Sequence, residues 1–193
     1  MAPKDCTLIM PASGFSYRFG SADKLLADFN GRPLADYAAR TAEKVGFFEM
    51  IAIVPRTDDL LTSIFREHGF KIVENPNPAF GQAHSIQLGA RHLAPTSRAF
   101  CVMLADMPLV TTHHIQALIK SAPKDGVIKT KYDGYGQPPA IFAGKSKRIW
   151  ASTEPLREPP AIVGDVEFLP LSFPFGEDID TPEDLWRLSD LRL

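Results

Sequence analysis

The sequence predicts an α/β fold in three layers. A mainly parallel, Rossmann-like sheet is covered by helices on both faces and carries a small antiparallel insertion. One domain spans residues 1–193. Three observations predict this. Short apolar runs alternate with amphipathic stretches through the first half of the chain. The stretches have the length of right-handed crossovers between parallel strands, about 10–15 residues. The composition, 45% hydrophobic and 23% charged, is that of a globular chain long enough to bury a core and a cleft.

The elements follow in order. Residues 7–10 are a continuous apolar run and read as a buried strand. Residues 33–45 place Leu34, Tyr37, Ala38 and Thr41 at helical spacing. Residues 47–54 are β-rich and lie between Gly46 and Pro55. Residues 58–67 read as a helix stopped near Gly69, and 70–73 as a short strand. A helix over 85–93, a strand over 99–105 and a helix over 111–120 complete the regular part. His113 and His114 open that last helix and read as surface residues. Residues 131–142 read as a turn feeding a short, antiparallel strand. Six of the 17 prolines fall within residues 155–182, which predicts extended or looping chain there. Thr181-Pro182-Glu183-Asp184 has the cap, proline and acids of a helix start.

Charge and cysteine usage narrow the function. Lysine plus arginine is 21 and aspartate plus glutamate is 23, a net charge of −2. That balance argues against nucleic-acid or membrane-surface partners, while leaving room for a local basic pocket. Cys6 and Cys101 sit inside apolar runs and read as buried, reduced thiols, which predicts a cytoplasmic location. No Cys-x-x-Cys or His-Glu-x-x-His spacing supports zinc. No apolar run approaches the roughly 20 residues of a membrane helix.

In open α/β sheets ligands bind beyond the carboxyl ends of the strands. After the first strand comes a loop holding Gly14, Gly20, three serines, Arg18 and Lys24. Glycines let backbone approach a ligand, and arginine and lysine suit phosphate oxygens. The loop is neither a Walker A sequence nor a Gly-x-Gly-x-x-Gly fingerprint, and Ser16 lacks the final glycine of a nucleophile elbow. The plain alternative is a solvated surface loop. After the fourth strand, Leu104-Ala105-Asp106-Met107-Pro108 puts an acid where it could hold Mg²⁺, or simply cap a turn. Residues 176–184 contain five acids, which suit either a metal or a helix cap. Asn75-Pro76 through Gly81-Gln82-Ala83-His84-Ser85 leads into a helix, with Ser85 as cap or ligand contact.

Together these segments resemble the nucleotidyltransferases that build the molybdenum cofactor dinucleotides, and within them the cytidylyltransferase branch. The resemblance lies in Ala12-Ser13-Gly14-Phe15-Ser16-Tyr17-Arg18-Phe19-Gly20 with Asp23-Lys24-Leu25-Leu26, and in Asn75-Pro76 through Gly81-Gln82-Ala83-His84-Ser85-Ile86-Gln87-Leu88-Gly89. It continues in Leu104-Ala105-Asp106-Met107-Pro108 and Asp178-Ile179-Asp180-Thr181-Pro182-Glu183-Asp184. It implies nucleotidyl transfer from a nucleoside triphosphate, CTP being favoured, to a phosphorylated molybdopterin-type acceptor. Ala12, Ser13 and Gly14 would lie against base and ribose. Ser16, Arg18 and Lys24 would grip the triphosphate. Gly81, Gln82 and Ser85 would lie near the base or acceptor. Mg²⁺ would sit on Asp106 and Asp180, and a molybdoenzyme or its chaperone would receive the product. Ser13 stands where the family has alanine or glycine. Its bulk suggests that CTP is preferred over GTP. The family's Gly-Asp-x-Gly-Ala-Arg segment is reduced here to Gly164-Asp165.

Overall fold

The computed structural model describes residues 1–14, 17–19, 23–57, 59–152 and 154–191. The chain opens with β1 (Cys6–Pro11), buried along almost its whole length. After the long loop come β2 (Asp28–Phe29) and β3 (Arg32–Pro33), a small separate hairpin. Then follow α1 (Leu34–Val45), β4 (Glu49–Val54), α2 (Leu60–Glu67) and β5 (Lys71–Glu74). Next are α3 (Gln82–Arg91), β6 (Ala99–Val102) and α4 (Thr112–Ser121). Apart from the β2–β3 hairpin, which the sequence reading did not foresee, these elements match it, with ends shifted by up to three residues.

The last third adds β7 (Gly126–Tyr132), β8 (Tyr135–Ala143), α5 (Gly144–Ile149), β9 (Asp165–Pro170) and α6 (Pro182–Ser189). The main sheet runs β5-β4-β1-β6-β8-β7-β9. Its ladders are parallel except where β8 pairs with β6 and β7. β8 is therefore a nine-residue strand inside the sheet, longer and more central than the short strand expected. It contains Pro138 and Pro139. The β7–β8 ladder shifts register between Lys129 and Thr130, and the two prolines fall in the resulting bulge, where ladder donors are not required.

Two cores pack the faces of the sheet. On one, α1, α2 and α4 bury Ala35, Ala39, Phe65 and Leu118 against Leu8, Met10 and Ile141. On the other, α3 and the residue after α5 bury Ala83, Ile86 and Trp150 against Ile9, Phe100 and Phe142. α3 lies so close to β1 that a Cβ on Gly89 would sit 2.5 Å from the Ile9 Cγ2. A third cluster joins Phe29, Leu34, Ile179 and Leu188, docking α6 against the β2–β3 hairpin.

One residue contradicts its sequence reading. His114 is 5% exposed rather than a surface residue, with Nε2 2.9 Å from Thr130 Oγ1. Helical spacing from the buried Ile115 and Leu118 turns it toward β7. Cys6 and Cys101 are buried free thiols, as expected. Among the described residues no helix is long and apolar enough to cross a membrane.

Candidate active site

Strand order reverses beside β1. The chain moves outward through β4 and β5, then α3 carries it back across to β6. The carboxyl ends of β1 and β6 thus flank a crevice, the usual ligand position in such sheets. A cavity of about 620 Å³ lies there.

The β1 loop supplies one wall. Ala12 is buried, and its N–H donates to the Ile53 carbonyl at 2.8 Å, pinning the loop to the end of β4. Ala12 and Gly14 line the cavity. Ser13, between them, faces backward. It is 2% exposed, its hydroxyl lies 2.9 Å from Ser85 Oγ, and it accepts from Asn75 Nδ2 at 2.9 Å. Asn75 Nδ2 also donates to Ser85 Oγ at 3.2 Å, and its Oδ1 accepts from the Asn77 N–H. Asn75 therefore ties the ends of β1 and β5 to the first turn of α3. The sequence reading quoted Asn75-Pro76 at the head of this loop, a recognisable turn signal, but gave Asn75 no role. Ser16 lies outside the described residues.

The N-terminal end of α3 closes a second side. Gly81 precedes the helix with φ of +86°, a conformation that favours glycine. It is the cap position; Ser85 lies inside the helix, so the reading of Ser85 as N-cap does not hold. Gly81, Gln82 and Ser85 all line the cavity.

The charged residues meet on the floor. Lys24 begins a single 3₁₀ turn whose first free N–H, on Leu25, is capped by the Asp23 carboxylate at 3.0 Å. The Lys24 side chain runs inward, 8% exposed overall, and its Nζ lies 2.6 Å from Asp106 Oδ2 and 3.1 Å from Asp180 Oδ1. Burial works to lower its pKa, but the two carboxylates outweigh that and hold it above the ordinary lysine value. Arg18, largely exposed, reaches Asp180 Oδ2 at 2.7 Å. All four residues line the cavity.

Two backbone features hold the acids. The Ile179 N–H donates to the Asp106 carbonyl at 3.0 Å, stitching the segment before α6 to the end of β6. Thr181 and Asp184 form a reciprocal capping box at the start of α6. Capping falls to them, so the Asp180 carboxylate is free to face the cations. Asp178 is exposed. Its carboxyl is raised above the usual range by partial desolvation and then by the negative charges of Asp180 and Asp106.

The donor set suits a hard divalent cation. Asp106 Oδ1 is buried and makes no hydrogen bond among the described residues. No group of three or more His, Cys, Asp or Glu forms a closed metal cage among them either. Two carboxylates completed by phosphate and water match Mg²⁺, which seldom uses an all-protein cage.

Comparisons with known proteins follow the geometry. Residues 8–161 match the family model for the MobA-like NTP transferase domain. Nicotine blue oxidoreductase of Paenarthrobacter nicotinovorans is 24% identical, over 94% of this chain and 95% of its own. Molybdenum cofactor guanylyltransferase of Pseudomonas putida is 28% identical, over 77% of this chain and 78% of its own. Among solved structures, a nucleotidyl transferase from Methanothermobacter thermautotroptrophicus superposes with a TM-score of 0.80 at 15% identity, covering 96% of each chain.

Proposed function

The chain belongs to the family of MobA-like NTP transferase domains, and from that premise we propose that it transfers CMP from CTP to the phosphate of molybdenum-bearing molybdopterin, releasing pyrophosphate. The observation that carries the reading is the floor of the cleft, where Arg18 and Lys24 face Asp106 and Asp180 beneath the start of α3. The relative named as a molybdenum cofactor guanylyltransferase supports the acceptor. Its name also favours a second reading in which GTP is the donor. The Ser13 hydroxyl points at Asn75 and Ser85 and takes no space from a base. The choice of CTP therefore rests on the resemblance of the first loop.

The acceptor phosphate is already an anionic nucleophile, so no protein nucleophile is needed. Its oxygen bonds to the α-phosphorus as the bond to the β-phosphate oxygen breaks, and the electron pair leaves with pyrophosphate. The residues position and neutralise. Ala12 and Gly14 let backbone approach the nucleoside, and Gly81, Gln82 and Ser85 bound it from the α3 side. Arg18 and Lys24 draw the phosphate oxygens in and offset the charge that builds on the leaving group. We assign a phosphate contact to Ser16 as well. Asp106 and Asp180 would hold Mg²⁺, which supplies further neutralisation of the phosphates. A molybdoenzyme or its chaperone would take the product.

A pyrophosphate-release screen tests this, with CTP, GTP, ATP and UTP as donors and molybdopterin and sugar phosphates as acceptors. The reading expects release with CTP and molybdopterin. Release with GTP alone establishes the second reading. Release only with a sugar phosphate moves the acceptor. No release with any pair removes the transferase and leaves a cofactor-holding protein or the redox chemistry of the other named relative.

A further inference from the structure

We infer that Lys24 competes with the divalent cation for the carboxylates of Asp106 and Asp180, so that metal and triphosphate bind to this chain as a coupled pair. The inference rests on the nucleotidyltransferase reading for the identity of the anion; the competition itself rests on geometry alone.

The four carboxylate oxygens are nearly all taken by the chain's own cations. Lys24 Nζ holds Asp106 Oδ2 at 2.6 Å and Asp180 Oδ1 at 3.1 Å. Arg18 holds Asp180 Oδ2 at 2.7 Å. Only Asp106 Oδ1 is left without a partner among the described residues, and it is buried. A small divalent ion collects oxygens at about 2.0–2.1 Å in octahedral geometry. To gather oxygen from both carboxylates it must displace Lys24 or Arg18 from Asp180, and an ammonium left beside it repels it.

Lys24 cannot simply turn away. The residue is 8% exposed, and a buried ammonium stripped of its partners is costly. It needs another anion in the same cleft, and a triphosphate is one. Metal alone strands the ammonium. Triphosphate alone places phosphates against two uncompensated carboxylates. Bound together, the lysine and arginine move to phosphate and the carboxylates to metal, and every charge is paired. Such coupling is reciprocal: each ligand raises affinity for the other.

Two titrations on the full-length chain test this. In the first, Mn²⁺ alone is titrated without nucleotide, and free Mn²⁺ is read by electron paramagnetic resonance. Lys24→Met should bind Mn²⁺ at least tenfold tighter than the parent chain. Arg18→Ala, an exposed change that leaves the fold intact, should bind it about threefold tighter. Equal or weaker Mn²⁺ binding in both variants overturns the competition. In the second, CTP is titrated in EDTA, where Asp180→Asn should bind the metal-free nucleotide several-fold tighter than the parent. Equal or weaker binding there overturns the coupling. If Mn²⁺ binding tightens as expected but no nucleotide binds to any form, the competition stands and the transferase reading fails.

Discussion

Lys24 is tied at once to Asp106 and Asp180. An electrostatic donor aimed at developing charge is worth about 10²–10³ in rate where it has been removed in other enzymes. Lys24→Ala and Arg18→Ala should each lower turnover at least tenfold while circular dichroism shows an intact fold. A folded variant with full turnover would remove that residue from the phosphate contacts. The two acids before α6 should behave differently. Asp180 faces both cations, whereas Asp178 is exposed and coupled to the cluster only through its charge. In titrations of Mg²⁺ against activity, Asp180→Asn should need much more metal than Asp178→Asn. The cap does not confuse this comparison, because Thr181 and Asp184 form it. Equal metal dependence in the two variants would break the assignment. The residue types that make this cluster were legible in the sequence because charge, glycine and position after a strand are local signals. The orientation of Ser13 was not. It depends on Asn75, 62 residues away in the chain, and no local pattern reports which way a small hydroxyl turns.

Among the elements, α3 is the one whose packing the site depends on most. Its first turn bounds the cleft, and its position is set lower down, where Gly89 meets Ile9. A methyl group at Gly89 would come within 2.5 Å of a fully buried isoleucine, so helix and strand must separate. Overpacking of this kind costs about 1–3 kcal/mol. Gly89→Ala should lower the urea midpoint without changing the slope, even though alanine favours an isolated helix. A stabilised variant would show that α3 has room to move. α1 to α4 and β1, β4, β5 and β6 could be read from the chain because apolar runs and helical spacing mark them, whereas the two-residue strands β2 and β3 are too short to carry a pattern. α5 is six residues with three cations, too short for a periodic pattern. The exposed edge strand β9 lies among prolines and lacks the buried alternation that marks a strand. β8 was underestimated because its bulge, which accommodates two prolines, is a property of the pairing with β7.

Across the whole molecule, the order of the strands produces the site. A crossover that returns from β5 to β6 leaves a crevice beside β1, and four segments distant in sequence converge there. The same packing buries His114 against β7. Burial, and then the neighbouring His113, lower its pKa from 6.5 to about 4. Between those values the unfolded chain binds a proton that the folded chain refuses, so stability should fall as pH drops through that window. His114→Gln, which can still meet Thr130, should flatten that part of a curve of denaturation midpoint against pH. An unchanged slope would mean that other groups set the acid limit.

The central claim concerns which bond to phosphorus is broken, and following the label in the nucleotide tests it most directly. CTP labelled on the α-phosphate is incubated with the chain, Mg²⁺ and molybdopterin, and CTP labelled on the γ-phosphate is run in parallel. Nucleotidyl transfer predicts that the α label moves into the acceptor product while the γ label leaves as pyrophosphate. An α label that stays with free nucleotide while the γ label appears as orthophosphate would contradict the account.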